Sequence, residues 1–442
     1  MNELTKRGFI AAAGAAAAVA AGPSAAKSPA QAFPKGFLWG AATAGHQVEG
    51  NNVASDIWLL ENVKPTMFAE RSGDACNSFE LWPSDLDLVR GLGLNTYRFS
   101  LEWARIEPEP GLWSIAMLDH YKQIIEGCRA RGLQPMVTFN HFTTPRWFSA
   151  RGGWNNPESP DLFARFCDRA ARHLAQDMAY ATTLNEPNTV AILGEVFPPA
   201  FMTALQSMNA AAAKACQSQR FSNAMVPDPA DISTMQPNLI AAHKAGKAAI
   251  KAVRSDLPVG VNLAISDDQA AGENSRRDAI RQAFYGAWFE SVKGDDFLGL
   301  QNYARARWSD KGALPPPPGA TLNALGQEIY APSLAGAVRY AHAATGVPIM
   351  VTEHGVNTDD DAVRAAYIPA ALFELQKVVA EGVPVKGYIH WSLLDNFEWI
   401  FGYKPHFGLC SVDRTTFKRT PKPSAHVLAE IARRNGLGRA VQ

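Results

Sequence analysis

Long apolar runs are missing from this 442-residue chain once its N-terminal segment is set aside. No later stretch reaches 18 apolar residues without a charge, so none is built to span a bilayer. Excess charge is missing too. The 42 Lys+Arg balance 42 Asp+Glu, which removes the electrostatic case for nucleic acid. Cysteine is scarce: Cys76, Cys128, Cys167, Cys216 and Cys410 include no Cys-x-x-Cys pair, which excludes a disulfide scaffold and a zinc cluster. The 10 His are dispersed without His-x-x-x-His spacing, so neither a metal nor a cofactor is called for. No Gly-x-Gly-x-x-Gly follows the first strand pattern and no phosphate loop occurs, which argues against nucleotide chemistry. What remains is ordinary globular composition, 47% hydrophobic, with plentiful aromatics (11 Trp, 22 Phe) able to pack a core or stack on a ligand. A chain of this length suits two to three domains or one large α/β barrel.

The first 26 residues read as an address and not as fold. Thr5-Lys6-Arg7-Gly8-Phe9-Ile10 precedes an Ala/Val run and the small residues Ser24-Ala25-Ala26, a pattern similar to a twin-arginine signal with Lys for the first Arg. An ordinary secretory signal is the alternative. Either predicts an exported protein, periplasmic or secreted, with no membrane attachment after cleavage.

From Phe33 to about residue 435, strand-like runs alternate with amphipathic helical stretches. Candidate strands begin at Phe37, Thr96, Pro135, Ala181, Val259, Phe297, Ile349 and Gly387. Eight strand–helix units predict a single (β/α)8 barrel. Most of these runs end in residues useful to chemistry: Arg98, Asn140-His141, Asn185-Glu186, Asn262, Gln301-Asn302-Tyr303, Glu353 and Trp391. A barrel gathers the C-terminal ends of its strands at one mouth. Two longer connections, 195–235 and the Pro-rich 311–319, are expected to wall that mouth or to decorate the surface.

Glu186 and Glu353 each follow an apolar run, where a carboxylate is costly unless hydrogen-bonded or working. Two carboxylates at one mouth suit glycoside hydrolysis, in which one is the acid/base and the other the nucleophile or base. Spacing alone leaves two structural carboxylates equally open.

The motifs go further. Asn185-Glu186-Pro187 and Thr352-Glu353-His354-Gly355 resemble the acid/base and nucleophile signatures of glycoside hydrolase family 1, the β-glucosidase family. The resemblance runs from Phe33 to about Arg434. It includes Gln47-Val48-Glu49-Gly50, Tyr97-Arg98-Phe99-Ser100, the stretch from Gly387 through Trp391 to Glu398-Trp399, and Phe407-Gly408-Leu409. It implies a retaining exo-β-glycosidase with Glu353 as nucleophile and Glu186 as acid/base. It also implies a sugar pocket in which Gln47 holds the 3- and 4-hydroxyls, His141 the 3-hydroxyl and Asn185 the 2-hydroxyl. Glu398 would accept from the 4- and 6-hydroxyls, Trp399 would donate its indole N–H, Trp391 would stack under the ring, and Phe407 would complete the substrate contacts. Arg98 and Tyr303 would hold Glu353 ionised and oriented. The chain departs from the family pattern at Phe142 (usually Trp), at Gln301-Asn302 (usually Asn-Tyr), and at His46, His354 and His406. These departures leave the sugar preference open.

A β-glucosidase is the expected activity and a small carbohydrate the expected partner. A transglycosidase and a β-galactosidase or β-fucosidase of the same family are alternatives. Intact Glu398 disfavours a 6-phosphorylated sugar. A non-catalytic sugar-binding protein would be expected to have lost one of the two glutamates.

Overall fold

The computed structural model describes residues 32–196, 199–225 and 227–438. The signal-like segment 1–26 and Phe197-Pro198 lie outside the described residues. Eight parallel strands close a barrel: β1 (Leu38–Ala42), β2 (Thr96–Ser100), β3 (Gln134–Asn140), β4 (Tyr180–Asn185), β5 (Val259–Ala264), β6 (Phe297–Asn302), β7 (Ile349–His354) and β8 (Val385–Trp391). Each pairs with the next in sequence, and β8 returns to β1 in the register Leu38↔Gly387 to Ala42↔Trp391. All eight predicted strands are present, and amphipathic helices such as Ile115–Ala130 alternate with them. Nearly every strand residue is buried, because helices cover the outer face and side chains fill the inner one.

The barrel interior is layered. Leu38, Met136, Phe297, Met350 and Ile389 belong to one apolar cluster. A polar layer follows, in which Thr138 and Thr182 share a hydroxyl hydrogen bond of 2.9 Å and Asn262 donates to Thr182 at 3.0 Å. Arg98 stands on this layer, its Nε donating to Thr138 Oγ1 at 3.2 Å. The site lies above it.

Strand alternation breaks where it matters. In β4, Thr182 points into the barrel, Thr183 reaches His243 on the helix Ile232–Val253 outside, and Leu184 joins the outer core, yet Asn185 points inward again. In β7, Met350 packs inside and Val351 outside, and Glu353 then turns in. The pairing register shifts between Thr182 and Asn185 and between Val351 and Glu353. Such irregularities re-aim side chains at strand ends. Just past Glu353, the β8 backbone comes so close that a Cβ on Gly355 would lie 2.1 Å from the Trp391 carbonyl oxygen.

The two long connections have different fates. Residues 199–215 form a helix packed with Ile57, Leu60 and Phe397, and Met225 from the same insertion reaches the cavity at the barrel mouth. The Pro315–Pro318 run lies largely on the surface and lines no part of that cavity, so of the two readings left open for it, surface decoration holds. Leu325 and Gln327, a few residues later, do so instead. No described helix is long and apolar enough to cross a membrane.

Candidate active site

A cavity of about 250 Å³ opens at the C-terminal ends of the strands. Gln47, His141, Asn185, Glu186, Tyr303, Glu353, Trp391, Glu398, Trp399 and Phe407, all expected from the sequence, line it together. Arg98 lies beneath and is fully buried.

Glu353 is held on both oxygens. Arg98 Nη1 donates to Oε1 at 2.6 Å, Gln301 Nε2 to the same oxygen at 2.8 Å, and the Tyr303 hydroxyl to Oε2 at 2.5 Å. Glu186 is held lightly: among the described residues its side-chain partner is the Thr189 hydroxyl at 3.4 Å. Burial pushes both carboxyls up from the ordinary range. At Glu353 the guanidinium and the hydrogen-bond donors oppose that rise. At Glu186 the negative charge of Glu353 adds to it and carries the pKa to about 8. When the pair shares one proton, that proton therefore belongs on Glu186. Glu186 also sits in the left-handed region at φ 44°, a costly conformation for a non-glycine residue. Phe142 (φ 64°) and Trp399 (φ 52°) on the same cavity share that conformation.

Asn185 has its amide fixed. Its Oδ1 accepts from Arg98 Nη2 at 2.6 Å and from Gln301 Nε2 at 2.8 Å, so Nδ2 is the end that faces His141, at 3.3 Å from Nε2. Burial, with Arg98 adding, holds the His141 imidazole well below its ordinary pKa, hence neutral. Its ring lies parallel to Trp391 (5.6 Å, 12°) and to Trp399 (6.2 Å, 14°). Its Nδ1 is buried without a protein partner.

Gln47 is oriented in a similar way. Its Nε2 donates to Asn396 Oδ1 at 3.1 Å and to the Phe397 carbonyl at 2.8 Å, which leaves Oε1 buried without a protein partner. The resemblance assigned Gln47 to two hydroxyls; here its carbonyl is the end presented, as an acceptor. Glu398 accepts from the Trp391 indole at 3.3 Å, and burial raises its pKa to about 8 against that donor, with the Glu353 charge contributing. Trp399 stacks on His46 (6.0 Å, 7°), and His46 Nε2 meets Glu61 at 2.8 Å. Buried polar atoms normally find partners, so the Gln47 carbonyl and the His141 ring nitrogen mark a surface suited to a polyhydroxylated ring.

Gln301 is the residue that sequence reasoning missed. It is named among the strand-end polar residues and as a departure from the family's Asn, but with no role of its own, yet its one amide nitrogen bridges Glu353 and Asn185. Its place at the end of β6, among the strand-end polar residues, was the available signal. Asn302 serves structure instead: it donates to the Ile265 carbonyl at 2.9 Å and accepts from Ser333 at 2.8 Å. His354 is likewise structural, a buried ring between the hydroxyls of Tyr388 (2.9 Å) and Tyr367 (3.1 Å). Asn262 is in the polar layer below the site and does not line the cavity. Among the described residues, no group of three or more His, Cys, Asp or Glu side chains is arranged to hold a metal ion.

Known proteins share this architecture. The solved beta-glycosidase BGL167 is 45% identical with a TM-score of 0.85, over 93% of this chain and 99% of that one. The apo structure of beta-glucosidase 1317 is 40% identical with a TM-score of 0.88, over 91% of this chain and 100% of that one. Beta-glucosidase A of Thermotoga maritima is 30% identical over 451 residues, 92% of this chain and 98% of its own length. The model of Glycosyl hydrolase family 1 matches residues 29–295 and 321–437. The chain, with both signature glutamates at the mouth of its barrel, belongs to glycosyl hydrolase family 1.

Proposed function

We propose that this enzyme is a retaining exo-acting β-glucosidase that cleaves the terminal β-glucosyl residue by double displacement. The observation that carries the reading is the asymmetry of the two carboxyls: one is clamped by a cation and two further donors, the other is nearly unclamped and raised to about 8. Glu353 attacks the anomeric carbon while Glu186, protonated, gives its proton to the leaving oxygen. Water, deprotonated by Glu186, then releases the sugar from Glu353 with the β configuration retained.

The binding roles follow from the hydrogen-bonding capacity each side chain has left. Asn185 Nδ2 donates to the 2-hydroxyl beside the nucleophile, where the hydrogen bond strengthens as the oxocarbenium ion develops. The Gln47 carbonyl and the His141 ring take the 3- and 4-hydroxyls. Glu398 and Trp399 read the 4- and 6-hydroxyls, and Trp391 stacks under the ring. Phe407, packed against Tyr303 at 5.7 Å, supports the same wall. Turnover of a panel of aryl β-glycosides tests the sugar, and NMR of the first-formed anomer tests retention. An initially α product would overturn the mechanism, and faster β-galactoside or β-fucoside turnover would shift the assigned sugar. The product formed with added alcohol tests transglycosylation, since a sugar hydroxyl in place of water completes the same second step.

The signal-like N-terminus supports export through the twin-arginine route, with catalysis in the periplasm or outside the cell. Fractionation with N-terminal sequencing of the mature protein checks this. A cytoplasmic protein that keeps residues 1–26 would refute it.

A further inference from the structure

The pocket changes character beyond Glu186, and we infer that its leaving-group side is built for a flat apolar aglycone, an aryl or arylalkyl alcohol, in preference to a second sugar. This rests on the glucosidase reading, because it concerns the group that Glu186 protonates. The cavity residues outside the expected sugar contacts are Phe142, Thr189, Met225, Leu325 and Gln327. Asn185, Glu353 and Trp391 are buried, whereas Thr189 and Met225 are half-buried and Leu325 and Gln327 exposed, so these last four form the mouth.

Three of the five are apolar, and they come from three separate segments. Leu325 is 42% exposed, yet it is carried on a pinned turn. Asn323 Oδ1 accepts from the backbone N–H of both Leu325 and Gln327 at 2.9 Å, and Gly326 N–H donates to the Asn323 carbonyl at 3.0 Å. Met225 is tethered through its N–H to Asn223 Oδ1 at 2.7 Å, and Asn223 in turn donates to buried Asp56. Phe142 is buried edge-on against His141 (5.3 Å) and Trp399 (5.6 Å), on the sugar side, so Leu325 and Met225 are the apolar members at the mouth. Of the two polar members, the Thr189 hydroxyl points to Glu186 at 3.4 Å, and the Gln327 side-chain carbonyl accepts from Asn323 Nδ2 at 3.0 Å, which leaves the exposed Gln327 Nε2 as a donor at the mouth.

A second sugar placed here would bring a ring of hydroxyls to a wall with few partners for them, and each desolvated hydroxyl left unpaired weakens binding. An aromatic group would instead cover Leu325 and Met225.

The test compares kcat/KM for phenylethyl β-glucoside and cellobiose. Both leave as unactivated alkoxides, and the sugar is the better leaving group, so chemistry does not create the expected order. The ratio reads the step that forms the glycosyl-enzyme, where the aglycone is still bound. The phenylethyl glucoside is expected to lead by about tenfold or more. Met225→Asn with Leu325→Asn should narrow that lead to about threefold or less. Leu325→Asn alone, at an exposed position, serves if the pair does not fold, with the lead expected to at least halve. Cellobiose at parity or ahead, or a lead unmoved in a folded variant, overturns the inference while leaving the glucosidase reading intact. Absence of turnover on every β-glycoside would overturn the glucosidase reading, and this inference with it.

Discussion

The ends of β4 and β7 carry the same side chain in opposite surroundings. At β7, Glu353 receives donors from Arg98, Gln301 and Tyr303, contributed by β2, the end of β6 and the residue that follows it. At β4, Glu186 has one long hydrogen bond to Thr189, three residues on in its own connection. Burial raises both, and the Arg98 charge opposes the rise at each. Only Glu353 also receives hydrogen bonds from Arg98, Gln301 and Tyr303, while Glu186 carries the added repulsion of the Glu353 charge. The chemical division between nucleophile and acid therefore lies in the partners and not in the carboxyls.

Removing each carboxyl is the strongest way to break that symmetry of residue type. Glu353→Ala should lower kcat by about 10⁴-fold or more, because no other group in the site attacks the anomeric carbon. Azide should restore turnover as the α-glycosyl azide. A β-azide from this variant would exchange the two roles.

Glu186→Ala should cost about 10²- to 10⁴-fold with an alkyl glucoside. A dinitrophenyl glucoside should suffer far less in forming the glycosyl-enzyme, since its leaving group needs no proton. Equal losses on both substrates would remove the acid role from Glu186.

Gln301→Leu sharpens the contrast from the clamped side. It strips one donor from Glu353 and one from Asn185, at a cost of about 1–3 kcal/mol in transition-state stabilisation. The acid limb of kcat/KM should also move to higher pH, because a donor that favours the ionised Glu353 is gone. An unchanged acid limb would show that Gln301 merely fills space. On the sugar side, a β-xyloside, which lacks the hydroxymethyl group facing Glu398, should lose a similar amount. Parity with the β-glucoside would show that Glu398 does not read that position.

The smallest effect concerns pH. Glu186 must be protonated for the first step, so kcat/KM should fall as pH rises through about 8, approaching tenfold per unit. In Glu353→Gln the like charge is removed, and direct titration should find the Glu186 carboxyl below its native value. A carboxyl that stays at its native value there would mean that burial alone sets it.

Much of this molecule was legible in its order of residues. Each β strand is covered on both faces, so it appears as a short apolar run, and the polar groups that follow mark the mouth. That is why Glu186 and Glu353 could be expected at one mouth, whereas Gln47 and Glu398 were implied only by the family resemblance; all four line one cavity. Cavity walls were less legible. The run Pro315–Pro318 announces itself as stiff but not as near anything, whereas Leu325 and Met225 carry no local mark of where their turns lead.

The sequence by itself pointed to the eight strands and their parallel closure, because these depend on period and burial along the chain, and its family motifs singled out the two glutamates. Period two cannot say that Asn185 and Glu353 turn inward, since both lie beyond a break in alternation set by pairing with neighbouring strands. Nor can it say that one glutamine from β6 bridges the nucleophile and Asn185, or that Glu186 rather than Glu353 keeps the proton. Those outcomes depend on charges and donors brought within about 3 Å from distant segments, a range over which hydrogen bonds and pKa values are set. Only closing the barrel fixes such distances.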